Sequence, residues 1–260
     1  MQRSPIQRVH YTSRNDKNLK HFVANISITV VSDFLHVGSG KVDVSTSKIE
    51  EKDIEDFIKY GKLPNVRVTT FKSFSRAGSK IVIPGSTIKG LVRSRLELSL
   101  PQSCYIIDAQ GTNSSPTYIK IFHPVRKQSD RFDPDKFPNI CPVCDLFGNM
   151  GLGSRVNFSD AVLVKGETAI VNDLEVVKKG AEFQGWVRGW VKNEIEAGMV
   201  FYGLGIRPNG SKVVLLGRFK YSDKRFGRVK VTVNSSNFKV TDSLSAFINT
   251  YRPRDFNEEW

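Results

Sequence analysis

Between residues 21 and 37 the chain reads HFVANISITVVSDFLHV, a run rich in β-branched and aromatic side chains. It predicts a long strand that ends at the Gly-Ser-Gly of 38–40. A polar stretch follows, within which EEKDIEDFIKY (50–60) reads as a short acidic helix. VRVTTFKSF (66–74) and KIVIP (80–84) read as strands around a turn at Ala77-Gly78. The next segment, IPGSTIKGLVRSRLE (83–97), predicts a helix capped by Ser86 or Thr87, with Leu91, Leu96 and Leu98 as its apolar contacts. From 101 to 140 the pattern fades, because Pro101, Pro116, Pro124, Pro134 and Pro138 break it into loops. RVNFSDAVLV (155–164) and AEFQGWVRGWV (181–191) are predicted strands, and 193–204 a helix weakened by Gly198 and Gly203. KVVLLGRFKYS (212–222) and GRVKVTVNS (227–235) pair as a hairpin, and SLSAFINTY (243–251) makes a last helix.

No repeat, low-complexity tract or Pro- or Ser-rich linker divides the chain. It therefore reads as one domain over 1–260, with an insertion at about 101–150, a C-terminal extension at about 236–260 and a loose basic arm over the first 20 residues. Strands and helices interleave without regular βαβ spacing, which predicts an α+β fold. With 260 residues, 39% of them hydrophobic, the chain can build one full core.

Charge changes the picture. Thirty-nine Lys and Arg face 26 Asp and Glu, for a net +13. A surplus of that size makes a field that collects polyanions, although a protein can be soluble and basic without binding any. No apolar run reaches the length of a membrane span, and the polar N-terminus lacks the apolar stretch of a signal peptide. Three cysteines do not make a disulfide framework, so a reducing cytoplasm is the expected compartment.

Four stretches could carry chemistry. At the 83–97 helix, the unpaired first-turn amides and the positive dipole end favour an anion. Gly85 allows close approach of a ligand, and Lys89 and Arg93 share one helical face. The P-loop spacing is absent. In LHVGSG (35–40), the turn amides around Gly38 and Gly40 can face a phosphate, and His36 can donate to one, take a proton or serve structure. RFGRVK (225–230) combines backbone donors, the cations Arg225 and Arg228 and the ring of Phe226, a mixture suited to single-stranded RNA or to a basic hairpin tip. In CPVCDLFG (141–148), Cys141 and Cys144 have the spacing of two zinc ligands, with His123 and Cys104 as candidates for the others. A redox pair and two packed thiols are the alternatives.

In this order along one chain, LHVGSG, IPGSTIKGLVR, CPVCDLFG with GSRVNFSDA, and GRFKYSDKRFGRV resemble the RAMP superfamily of CRISPR proteins. The resemblance covers about 22–235 and is nearest to the backbone subunits of type III effector complexes. It implies a modified ferredoxin-like (RRM-like) antiparallel sheet with helices on one face and loop or zinc-type insertions. It implies that Gly85, Ser86, Lys89 and Arg93 grip guide-RNA phosphates. His36, Gly38, Gly40, Arg225 and Arg228 would line the same groove, with Phe226 packing or stacking nearby. Asp160 is expected to be structural. Partners would be guide RNA, target RNA and other RAMP subunits, stacked as a filament, and zinc would sit on His123, Cys141 and Cys144.

The chain departs from that pattern in two places. Relatives that cut target RNA place an aspartate in a Gly-x-Asp-Asn-like loop after the first strand, where this chain has KVDVSTSKIEEKD. Asp43 is the best positional match and Asp53 the second, and either could hold Mg²⁺ beside a scissile phosphate. The second departure is the β-hairpin thumb expected between Ala161 and Glu175, where only a short connection is present. A backbone RNA-binding subunit is the first reading. A target-RNA endoribonuclease and a guide-processing ribonuclease with His36 as base are the alternatives.

Overall fold

The computed structural model describes residues 8–46, 49–63, 66, 68–100, 103, 115–124, 133 and 139–260. Most of the proline-broken insertion, and Cys104 with it, lies outside these residues. The architecture is α+β, built on two curled sheets.

Lys20–Val30 forms the central strand, because its even positions Phe22, Ala24, Ile26, Ile28 and Val30 are all buried on one face. The strand stops there, and Ser32 turns the chain by donating to the Phe34 carbonyl. Glu182–Val191 pairs along its whole length on one side, and Arg228–Ser236 pairs on the other with a bulge between Val233 and Ser235. Ala161–Lys165 pairs beyond Glu182–Val191, and Lys80–Ile83 beyond that, all antiparallel. The core elements therefore run strand, helix, strand, strand, helix, strand, and stand in the sheet in the order fourth, first, third, second.

The two crossover helices are α2 (Gly85–Ser99) and α5 (Glu194–Gly203). Both pack on the inner face, where Val92, Leu96, Met199 and Phe201 join Phe22, Ile26 and Ile28 in one core. A C-terminal helix, α6 (Val240–Tyr251), covers α5.

The second sheet joins Thr168–Val171, Leu174–Lys178, Val68–Phe74 and Gly38–Thr46 in that order. It is not wholly antiparallel, since Leu174 pairs with Lys72 in parallel. The polar residues after Gly38 were expected to loop, but they form a strand paired with Val68–Phe74. Every residue from Gly38 to Val44 is exposed, so there was no buried face for an alternating pattern to mark. This hairpin carries α1 (Glu51–Tyr60), which buries no residue. The short connection after Ala161 is a hairpin of four cross-strand pairs, Thr168–Val171 with 174–177, turned at Asn172 and Asp173, both at positive φ.

Two helices stand in the insertion region, α3 (Pro116–Phe122) and α4 (Pro142–Phe147), each with proline in its first turn. The predicted strand 155–164 is two strands, Val156–Phe158 and Ala161–Lys165, interrupted at Ser159-Asp160. Among the described residues no helix is long and apolar enough to cross a membrane.

Candidate nucleic-acid interface

Three of the singled-out stretches meet at one end of the molecule. The chain from Gly217 to Gly227 is a loop rather than the continuation of a hairpin, since pairing stops at Leu215 and Arg228. It docks on LHVGSG through backbone hydrogen bonds: Arg218 N–H donates to the His36 carbonyl at 2.9 Å, and Gly227 N–H to the Phe34 carbonyl at 3.0 Å. Gly217 is required there. Its φ is +81°, and a Cβ would stand 2.5 Å from the His36 carbonyl oxygen.

The loop then passes over α2. Between them lies a cavity of about 220 Å³, lined on the helix side by Thr87, Gly90, Ser94 and Leu98 and on the loop side by Gly217, Lys220 and Tyr221. Phe122 of α3 closes one wall, packed on Tyr118, Tyr221 and Phe256. The C-terminal residues clasp the same site. Glu258 forms a bidentate pair with Arg95, both buried, and accepts the Leu215 N–H at 2.9 Å. Trp260 Nε1 donates to the Lys220 carbonyl at 3.2 Å.

The loop is strongly basic. Arg218, Lys220, Lys224, Arg225 and Arg228 stand against Asp223 alone. Arg225 is exposed and pairs with Asp223 at 2.7 Å. Among the described residues Arg228 donates to backbone oxygens, those of Lys224, Phe226 and Trp260. Lys220 is half-buried, and desolvation with Arg95 nearby brings its ammonium pKa down to about 8. It is a cation poised to gain from an arriving anion.

The helix mouth is built differently from the expectation. Gly85 opens α2 because a Cβ there would stand 2.1 Å from the Phe158 carbonyl oxygen, so the glycine serves strand–helix packing. Its N–H is already taken by the Asp160 carboxylate at 2.8 Å. Asp160, expected to be structural, is the cap in place of Ser86 or Thr87, and its charge satisfies the dipole end. Lys89 and Arg93 do share a face, but at roughly 100° per residue that face is turned away from Thr87, Gly90 and Ser94. Arg93 pairs with the buried Glu97 at 2.7 Å and donates to Cys144 Sγ at 3.6 Å. Lys89 is half-buried, with its pKa lowered by desolvation and by Arg93, and has no carboxylate partner among the described residues.

His36 is fully buried, and its Nδ1 donates to the Glu175 carbonyl at 2.7 Å. Burial lowers its pKa, which keeps the ring neutral, and its Nε2 has no hydrogen-bond partner among the described residues. The ring therefore supports the loop from below and is not presented at the surface. Phe226 is also buried, against Phe34 and Phe219, and packs rather than stacking on a ligand. Gly38 and Gly40 form a bulge at the root of the projecting hairpin, Gly40 with φ +78°.

Asp43 lies exposed on that hairpin opposite Phe71. Asp53 instead closes a capping box, accepting the Glu50 N–H at 3.0 Å. Cys141 and Cys144 are buried, and Cys141 Sγ caps α4 by accepting the Cys144 N–H. His123 ends α3, and among the described residues no three His, Cys, Asp or Glu side chains gather to hold a metal. The described residues thus supply two thiols of the four ligands that a structural zinc requires.

Comparison with known proteins gives one family. A family model described as the RAMP superfamily matches residues 27–255. No curated protein matches the chain. Among solved structures, a chain of the "Cryo-EM structure of the Type III-B Cmr-beta bound to cognate target RNA" is 17% identical, with a TM-score of 0.40. The match covers 82% of this chain and 61% of that one, so the present chain spans about three-fifths of its neighbour's length.

Proposed function

This chain belongs to the RAMP superfamily, and from that premise we propose that it is a guide-RNA-binding backbone subunit of a type III CRISPR interference complex. The strand order of its sheet supports reading the core as the modified ferredoxin-like arrangement. One observation carries the functional reading: the basic glycine loop docks on the LHVGSG turn and packs over α2, with Arg218, Lys224 and Arg225 exposed and Lys220 lining the cavity between loop and helix. In this reading Arg218, Lys220, Arg225 and Arg228 hold phosphates, while Ser86 and Lys89, on the side of α2 away from the cavity, meet a separate stretch of the strand. Gly85, His36, Phe226 and Arg93 hold the surface in shape from beneath. Gly38 and Gly40 leave room for a strand to pass at the hairpin root. Contacts of this kind are blind to sequence, so target choice falls to base pairing.

The decisive experiment is single-stranded RNA binding across a salt series. Log affinity should fall linearly with log salt, and the slope should shrink by about 0.7 for each phosphate contact removed. The triple change Arg218→Ala, Lys220→Ala, Arg225→Ala should shallow the slope by about 2 while leaving the fold intact. An unchanged slope in a folded triple variant removes the loop from the RNA track. Affinity should also weaken as pH rises through about 8, where Lys220 loses its proton. Cleavage of target RNA is the second reading. It requires metal-dependent product that disappears in Asp43→Ala within an assembled complex.

A further inference from the structure

Among the described residues no helix covers the face of the central sheet opposite α2 and α5, and that face carries two tryptophans. Trp186 and Trp190 lie on Glu182–Val191 with side chains on the outer face, since Phe183, Val187 and Val191 take the inner one. Trp190 is 52% exposed, and its ring meets His21 on the neighbouring strand at 5.3 Å. Between the two indoles stands the exposed Arg188, whose guanidinium lies 4.2 Å from the Trp186 ring centroid. Apart from Val23, the remaining outward positions of the three central strands are small or polar, among them Asn25, Gln184 and Thr232. Arg188 and Lys230 there outweigh Glu182, and they belong to a chain of net charge +13.

We propose that this outer face, centred on Trp186, Arg188 and Trp190, is a stacking platform for single-stranded RNA, separate from the glycine-loop track. Four strand residues separate the indoles by roughly 13 Å, about four times the ~3.4 Å rise of stacked bases. A continuous base stack cannot lie flat on both rings, whereas an unpaired strand with splayed bases can. A base has a π-face whatever its identity, so the exposed Trp190 indole and the Arg188 guanidinium, backed by the Trp186 ring, take bases without regard to sequence. An apolar protein surface fits this face less well, because the indoles are flanked by polar groups and cations, and RNA is favoured over an acidic protein because it offers phosphate charge and flat bases to stack within one chain. The inference rests on the RNA-binding reading for the identity of the polymer, and on the indole geometry for the site.

The three tryptophans make a direct test, because Trp260 sits at the glycine loop, 5.3 Å below Arg228, and the other two sit on the sheet. In Trp260→Phe protein, titration with oligouridylate should quench the emission of Trp186 and Trp190. In that background Trp190→Thr should weaken binding about tenfold, and Trp190→Phe should restore it. Arg188→Gln keeps both rings and should weaken binding several-fold, so the test survives if the threonine variant fails to fold. The glycine-loop triple variant should lower total affinity and still show sheet quenching at saturating RNA, which separates failure of the loop from failure of the sheet. Absent quenching in Trp260→Phe protein overturns the proposal. So does full affinity in folded Trp186→Thr/Trp190→Thr protein, or loss of self-association alone in those variants.

Discussion

Arg155 and Arg225 carry the same guanidinium into opposite environments. Arg155 is 3% exposed, and it reaches Glu196 through two hydrogen bonds of 2.6 and 2.7 Å and Asp145 at 3.0 Å. Asp145 in turn receives Thr12, Arg14 and Lys192, which ties the N-terminal segment to α4 and α5. Arg225 is exposed, with Asp223 as its one ion-pair partner among the described residues. The contrast divides the basic surplus into two populations. Some cations are consumed holding the interior together, and others are left where a polyanion can reach them. Net charge counts both alike, but only the second population can bind RNA.

The sharpest way to break this contrast is to remove a member of the first population. Arg155→Met should destabilise by about 3 kcal/mol, because it removes charge-assisted hydrogen bonds from Asp145 and Glu196 and leaves them only their remaining partners, Thr12, Arg14 and Lys192. Denaturant unfolding measures it, and a loss under about 1 kcal/mol would mean that the network is dispensable. Acid titration gives a smaller effect. Hydrogen bonds from Thr12 and the charges of Arg155 and Lys192 outweigh burial and hold the Asp145 carboxyl down to about 2. Its contribution of about 2 kcal/mol is present above pH 3.8 and is lost as pH falls through about 2. Buried neutral His36 acts in the same direction at milder acidity, since its lowered pKa withdraws stability as pH drops below about 6.5. Melting temperature followed from pH 7 to pH 2 should therefore fall in two stages, and a flat profile would contradict both assignments. The smallest effect is expected at the loop. Arg225→Ala should leave the unfolding midpoint unchanged while weakening RNA binding, which joins the two halves of the comparison in one variant.

Much of the fold was legible because its elements are amphipathic. The central strand, α2, α5 and α6 all present an apolar face to one core, and the chain marks each of them by local composition. The Gly38–Thr46 strand escaped because nearly all of it is exposed, and α3 escaped because prolines mask its one helical turn of apolar contacts. At the site, the basic loop was legible as a charge run. The pairing of α2 with its cap was not, since Asp160 lies 75 residues from Gly85. Trp186 and Trp190 were legible in principle, as an even spacing on a predicted strand puts both rings on one side.

By itself the sequence determined the class of fold, the family and the sign of the charge, because composition, periodicity and motif order are properties of the chain. Tertiary structure decided which groups remain available. Lys89 and Arg93 share a helical face by local geometry, yet only packing turns that face toward Cys144 and away from the cavity. His36 and Phe226 look like ligands in one dimension and become buried supports in three. The physical reason is desolvation: whether a polar group faces water, a neighbour or nothing depends on contacts made from far along the chain, and local spacing carries no record of them.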